Sequence, residues 1–504
     1  MNKSVCIVGA GTSGLACIKA CLDEGIKPVC FETTADLGGL WNNVARAKHD
    51  VCVKLYPSLV TNVSKVNSSF SDFPAPKDWP PYLDQNLTLD YLRMYAEKFG
   101  LTEHIQFDTE VVKVFPSNSY EVTGTWIVKT KNLITNDVNE KEYDAVIVAT
   151  GKFAKQVKAD VPGLHDVFKG TVIHSGDYTD QEIFRDKSVL VIGCSASGCD
   201  LACDAAVTAK NVFLCARSGT WLAPRIHTNG LPLDLSAANR FTRALLAWIP
   251  AWLANSMFKN VLEARMNHEA CGILSQYPPT NKLATITITD ELPIKIYSGR
   301  VKTRPGIERV TDNHVIFENS AKEKIDMVVM ATGYKAHFPF LSEDVFPDDI
   351  ENARLYKWIF PMELKHPSTL TFVCLFPPGS GSAMTSAELQ ARFVGQVLSG
   401  KTKLPSKKSM RNKWRESRDL LLQNTRGRFV FKEGLFEYQE DLAQELRLIP
   451  PFFKLLFTDP RLAFKLYFGP VVPYHYRLCG NHSWEQARDR SLNITDEIMS
   501  GMKK

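Results

Sequence analysis

The chain opens on a short apolar, β-prone run, Ser4–Val8, that passes at once into Gly9-x-Gly11-x-x-Gly14. A helical stretch, Leu15–Leu22, follows and is ended by Gly25; Val29–Phe31 is again apolar and closes on Glu32. Strand, glycine turn, helix and strand in this order predict one β-turn-α-β unit. The pattern recurs further on. Ser188–Ile192 is apolar, its turn is Gly193-x-Ser195-x-x-Gly198, and a helical stretch carrying Cys199 and Cys203 one turn apart continues the repeat. Each unit is followed at a distance by Asp-x-Val-x-x-Ala-Thr-Gly, at Asp144–Gly151 and at Asp326–Gly333. Each of these reads as a buried strand ending in small residues, where the chain crosses close to a bound dinucleotide. Two turns and two such strands predict an α/β fold that binds two dinucleotides.

Composition narrows this picture without changing it. At 504 residues the chain is long enough for two or three domains, and 44% hydrophobic with 23% charged residues is ordinary for a folded protein. A net charge of +5 gives no argument for a nucleic-acid partner. The twelve cysteines contain no C-x-x-C pair and no metal-ligand spacing, so a redox-active dithiol and a metal centre are not expected. The N-terminus lacks the apolar core and cleavage site of a signal peptide; the thiols are therefore expected to be reduced, and the five Asn-x-Ser/Thr triplets are read as chance.

The turns carry specific chemistry. In the first, Gly9, Ala10, Gly11, Thr12, Ser13 and Gly14 are candidate contacts for a pyrophosphate at a helix N-terminus, and Glu32, 23 residues after Gly9, suits a ribose hydroxyl. In the second, Gly193, Ser195, Ser197, Gly198, Cys199 and Asp200 take the corresponding places. Here position 216 is alanine and the next residue is Arg217. A missing acid and an added guanidinium suit a 2′-phosphate, so the second site reads as one for NADP. Serine at 195 departs from the glycine pattern but is small enough to leave the backbone reachable. Ten residues before the second unit, Phe168-x-Gly170-x-x-x-His174-x-x-x-Tyr178 places a β-prone run against the turn to come.

With these motifs in place the sequence resembles the flavin-containing monooxygenase family, in its animal-type branch. The resemblance rests on the two turns, on the Phe168–Tyr178 motif between them, and on FETTADLGGLW (31–41), YPSLVTNVSK (56–65), SGCDLA (197–202), NHEACGI (267–273), ATGY (331–334) and FTDPRLAFKLYFGPVVPYHYRL (457–478). It implies FAD in the first site and NADPH in the second. It also implies FAD contacts at Leu40, Trp41 and Thr61, and a catalytic asparagine, Asn62, touching flavin and nicotinamide beside the oxygen site. The expected domains are an FAD domain in two parts, 1–155 and 331–445; an NADP domain, 156–330, with an apolar insertion around 232–270; and an apolar tail, 446–504.

The implied reaction is NADPH- and O2-dependent oxygenation of a soft nitrogen or sulfur of a small molecule through a C4a-hydroperoxyflavin, as in xenobiotic metabolism. Two alternatives stay open: Baeyer–Villiger oxygenation of ketones, and an uncoupled NADPH oxidase that releases hydrogen peroxide. Tyr178, where Baeyer–Villiger enzymes usually carry tryptophan, favours the heteroatom. Ala244–Phe258 is fifteen residues without a charge but is interrupted by Pro250, and Ile449–Phe457 and Arg461–Val472 are apolar with scattered cations. These segments suit lying in a membrane interface. The expectation is peripheral attachment to the cytosolic face of the endoplasmic reticulum, with a cytoplasmic protein as second choice and a homodimer possible.

Overall fold

The computed structural model describes residues 3–43, 53–236, 239–246, 248–281, 284–347, 353–373, 375, 381–419 and 434–502. Two parallel five-stranded sheets dominate it. The first is built from β1 (Ser4–Val8), β2 (Lys27–Phe31), β3 (Ile105–Gln106), β4 (Ala145–Val148) and a late strand, 370–372, with β1 central between β2 and β4. The helix α1 (Thr12–Asp23) follows β1, and α2 (Gln85–Lys98) precedes β3. The chain then leaves this sheet through β5 (Lys155–Gln156) and builds the second.

That second sheet holds β6 (Thr171–His174), β7 (Ser188–Ile192), β8 (Asn211–Cys215) and two later strands, 301–304 and 327–330. The helix α3 (Ala196–Thr208) follows β7. A short strand β9 (Trp221–Ala223) pairs with β10 (Ile286–Ile288). Between these two lie α4 (Arg240–Leu246) and α5 (Ala251–Glu263). The sheet is completed by β11 (Val301–Arg304) and β12 (Met327–Met330), in the order β11-β8-β7-β12-β6. The strand β13 (Tyr334–Lys335) pairs antiparallel with β5, so the outgoing and returning chains cross side by side. Then β14 (Leu370–Phe372) docks on β4 and completes the first sheet in the order β14-β4-β1-β2-β3. The whole second sheet is therefore inserted between two neighbouring strands of the first. This is a two-dinucleotide-binding α/β fold.

The central strands are apolar along their whole length because both faces are covered. Ser188–Ile192, Ala145–Val148 and Met327–Met330 are buried at every residue. The helix α6 (Ala383–Leu398) lies against α1, and Gly395 makes the approach possible: a Cβ there would stand 3.0 Å from the Ala20 carbonyl oxygen. Helices α7 (Leu435–Glu445), α8 (Phe452–Thr458) and α9 (Pro460–Phe468) belong to the C-terminal part.

One boundary differs from the pattern reading, and one expected break is present. The helix α1 begins at Thr12 rather than Leu15, because Gly9, at φ +99°, completes the turn in one residue and leaves Gly14 inside the helix. The apolar run 244–258, of which residue 247 lies outside the described set, is two helices hinged at Pro250, whose ring cannot continue α4. Among the described residues no helix is long and apolar enough to cross a membrane.

Candidate functional site

Both glycine turns are dictated by backbone crowding. A Cβ on Gly14 would overlap the Gly9 carbonyl oxygen at 1.9 Å, and one on Gly198 would overlap that of Gly193 at the same distance. Gly9 (φ +99°) and Gly193 (φ +113°) both need the left-handed region, and each lies against the strand-end Ala-Thr-Gly: a Cβ would meet the Ala149 oxygen at 3.0 Å and the Ala331 oxygen at 2.5 Å. The two Ala-Thr-Gly segments thus lock the two turns from behind.

The middle position of the first turn lies beneath a crossing segment. The segment Gly38–Trp41 crosses over the first turn: Gly38 N–H donates to the Ala10 carbonyl at 3.1 Å, and a Cβ on Gly39 would lie 2.8 Å from Gly11 Cα. Leu40 and Trp41 follow in a short 3-10 turn, partly buried. In the second turn Ser195 is exposed at an ordinary φ of −102°, so a side chain is tolerated there.

The donor set at both turns fits a dinucleotide. No side chain caps α1 or α3, whereas Asp84 caps α2 and Ser382 caps α6. The first-turn N–H groups around Thr12 and Ser13, and around Ser197, are left for an anion. Glu32 is buried at the end of β2; its carboxylate accepts the Ala10 N–H at 2.7 Å and the Thr34 N–H at 3.0 Å, which fixes it beside the first turn. Arg217 is exposed just beyond β8, after Ala216, and Gln276 Nε2 donates to its carbonyl at 3.2 Å. The Cys199 thiol is fully buried in the core under α3, so only its main chain is presented at the turn. The Asp200 side chain is engaged elsewhere: its carboxylate accepts the Tyr56 hydroxyl at 2.7 Å. Burial holds that carboxyl above the usual carboxylate range, against the pull of the Tyr56 hydrogen bond.

Thr61 and Asn62 lie on a loop that touches both halves of the molecule. On one side Thr61 N–H donates to the Leu83 carbonyl at 2.9 Å. On the other, Arg225, two residues past β9, reaches across: Nε donates to the Thr61 carbonyl at 3.2 Å and Nη2 to Asn62 Oδ1 at 2.9 Å. Asp290 holds the far side of the guanidinium through Nη1 at 3.2 Å. Asn62 itself is exposed. Arg225 was not singled out from the sequence; an isolated arginine after a proline carries no local signal.

The Phe168–Tyr178 spacing also has a physical cause. A Cβ on Gly170 would strike the Phe168 ring at 2.4 Å and the Asp326 carbonyl oxygen at 2.5 Å. His174 ends β6 and caps the following turn, its Nδ1 accepting the Gly176 N–H at 3.1 Å. Its ring lies edge-on to Tyr334 of β13 at 4.9 Å. Burial pushes its pKa down, against the pull of Asp177, and so favours the neutral ring. The Tyr178 hydroxyl donates to Asp204 on α3 at 2.8 Å.

Comparison with known proteins agrees with this arrangement. The flavin-binding monooxygenase-like family model matches residues 2–504. Flavin-containing monooxygenase 1 of Rattus norvegicus is 38% identical over 98% of this chain and 94% of its own length, and flavin-containing monooxygenase 5 of Oryctolagus cuniculus is 37% identical over 99% and 92%. In fold the chain is similar to the S-allyl-L-cysteine S-oxygenase of Allium sativum, with TM-score 0.66 and 24% identity over 97% of this chain and 99% of that one. It is also similar to a cyclohexanone monooxygenase, with TM-score 0.59 and 17% identity over 88% and 97%. With two dinucleotide turns of the same build and a family match along the whole chain, the chain belongs to the flavin-binding monooxygenase-like family and is a flavin-containing monooxygenase.

Proposed function

We propose that this monooxygenase uses FAD and NADPH to place one atom of O2 on a soft nitrogen or sulfur of a small molecule. The observation that carries the reading is the exposed Asn62 amide, tied by Arg225 between the two dinucleotide units. FAD would be held by Gly9–Gly14, Glu32, Leu40 and Trp41, and NADPH by Gly193, Ser195, Ser197, Gly198 and Arg217. When bound, the flavin supplies hydride acceptance from NADPH and transfer of one oxygen atom, the other leaving as water. The chain supplies geometry and a controlled polarity. Asn62 Oδ1 is taken by Arg225, so the amide has its NH2 left to donate toward an oxygen atom, and it brings no labile acid. His174, whose Nδ1 caps a turn by accepting the Gly176 N–H, orients the chain. Tyr178, in the place where ketone-oxygenating relatives usually carry tryptophan, favours a heteroatom substrate.

The test is product analysis with purified holoenzyme, NADPH and air, offering a tertiary amine, a thioether and a ketone. N-oxide or S-oxide in proportion to NADPH is expected. Ester or lactone from the ketone alone would turn the reading to Baeyer–Villiger chemistry, and peroxide alone to an NADPH oxidase.

The same reading includes peripheral attachment to a membrane, at the cytosolic face of the endoplasmic reticulum. Trp248 is 88% and Phe457 86% exposed, and Trp252, Val261, Phe453 and Phe464 are exposed with them. Phe241 of α4 meets Phe468 of α9 at 4.7 Å, so these two helices pack together. Exposed aromatic side chains, with Lys454, Arg461 and Lys465 on the helices that carry Phe453, Phe457 and Phe464, suit an anionic lipid surface.

A further inference from the structure

The helix α3, whose uncapped first turn opens the second dinucleotide unit, carries two carboxylates one turn apart, Asp200 and Asp204. Neither is left to water alone. Asp200 accepts the Tyr56 hydroxyl at 2.7 Å; Asp204 accepts the Ser58 hydroxyl at 2.7 Å and the Tyr178 hydroxyl at 2.8 Å. The donors come from two places distant in sequence: the strand of chain just before Asn62, and the end of the Phe168–Tyr178 motif. These two segments also run together. Lys54 N–H donates to the Gly176 carbonyl at 3.0 Å, and the Tyr56 and Tyr178 rings lie 5.7 Å apart. Tyr178 is held in turn by a stacked contact with Phe184 at 5.2 Å.

Hydroxyl-to-carboxylate bonds are charge-assisted, and the two made by Tyr56 and Tyr178 are half-buried, so they fix position better than the same bonds in water, whereas the Ser58 bond is exposed. A helix is stiff, so a shift at the first turn of α3 is felt at Asp200 and Asp204. From Tyr56 the chain folds back on itself, with Leu59 N–H on the Tyr56 carbonyl at 3.0 Å, and reaches Asn62 within six residues. Arg225 holds the far end of the same loop.

We propose that Asp200 and Asp204, with Tyr56, Ser58 and Tyr178, form a latch of positioning residues that couples coenzyme binding at the N-terminus of α3 to the placement of Asn62. The proposal rests on the reading of Asn62 given under Proposed function. Its consequence is thermodynamic: if NADP+ steadies the loop through the latch, then breaking the latch must weaken NADP+ by the same factor by which loop protection is lost.

The experiment is hydrogen exchange of the segment 54–62 in FAD-loaded protein, with and without NADP+, alongside calorimetric affinity for NADP+. In the wild type, NADP+ is expected to slow exchange of 54–62. In Tyr56→Phe, which removes one hydroxyl and keeps the ring, exchange is expected to rise on the order of tenfold, the NADP+ protection to fall, and NADP+ binding to weaken by a matching factor. Asp204→Asn should do the same through two bonds; if it fails to retain FAD, Tyr56→Phe alone decides. Unchanged exchange of 54–62 on adding NADP+ to the wild type, or wild-type exchange in Tyr56→Phe, overturns the latch. Asn62→Ala is a separate arm: normal product per NADPH in that variant overturns the role of the amide and leaves the exchange result standing.

Discussion

Arg225 Nη2 lies 2.9 Å from Asn62 Oδ1, and the same side chain donates from Nε to the Thr61 carbonyl and is paired behind with Asp290. The exposed amide is therefore not free to rotate; its oxygen faces the guanidinium. Arg225→Ala is expected to keep FAD but lower oxygenated product per NADPH and raise peroxide. Losing a bond to a charged group weakens the arrangement by about 10- to 150-fold. Because both residues act through one contact, the Arg225→Ala, Asn62→Ala double variant should be little worse than the poorer single one. Additive losses would separate the two residues.

Arg217 has no ion pair among the described residues and stands just past β8 beside the second turn. Arg217→Ala is expected to raise KM for NADPH by about 10- to 150-fold and to leave KM for NADH nearly unchanged. Steady-state kinetics with both coenzymes decide this; an equal rise for both sinks the assignment of the 2′-phosphate.

A buried charge cluster ties the C-terminal part to the first sheet. Glu388 of α6 accepts Arg477 Nη2 at 2.7 Å and the Ser71 N–H at 2.8 Å, while Asp72 accepts Arg477 at 2.8 Å and Lys19 at 3.0 Å. Glu388→Ala leaves Arg477 short of a partner in a dry site and is expected to lower stability by about 3–5 kcal/mol. Urea unfolding of the holoprotein measures it. A loss below about 1 kcal/mol would mean that water reaches the cluster.

The apolar surface of α4, α5, α8 and α9 makes a separate prediction. Replacing Leu245, Trp248, Trp252 and Phe457 with serine should move the protein from the bound to the unbound fraction in flotation with anionic vesicles, without loss of FAD. Wild-type protein that stays unbound and monomeric would falsify membrane attachment through this surface.

Ser4–Val8, Ser188–Ile192 and the two glycine turns were legible along the chain because each is set by neighbours a few residues away. Strand pattern and left-handed glycine are local matters, and so is the carbonyl that Gly14 or Gly198 must clear. The repeat of the Ala-Thr-Gly strand end was legible too, and with it the number of dinucleotide units. The tightness that demands glycine at 39 but allows serine at 195 was not, since it depends on which segment crosses the turn. Nor was the setting of Asn62. Arg225 is 163 residues from it and Asp200 is 144 from Tyr56, and neither pairing leaves a period or a spacing in the sequence. Local rules choose strands, turns and helices; only the packing of one sheet's unit against the other brings such side chains within hydrogen-bond reach.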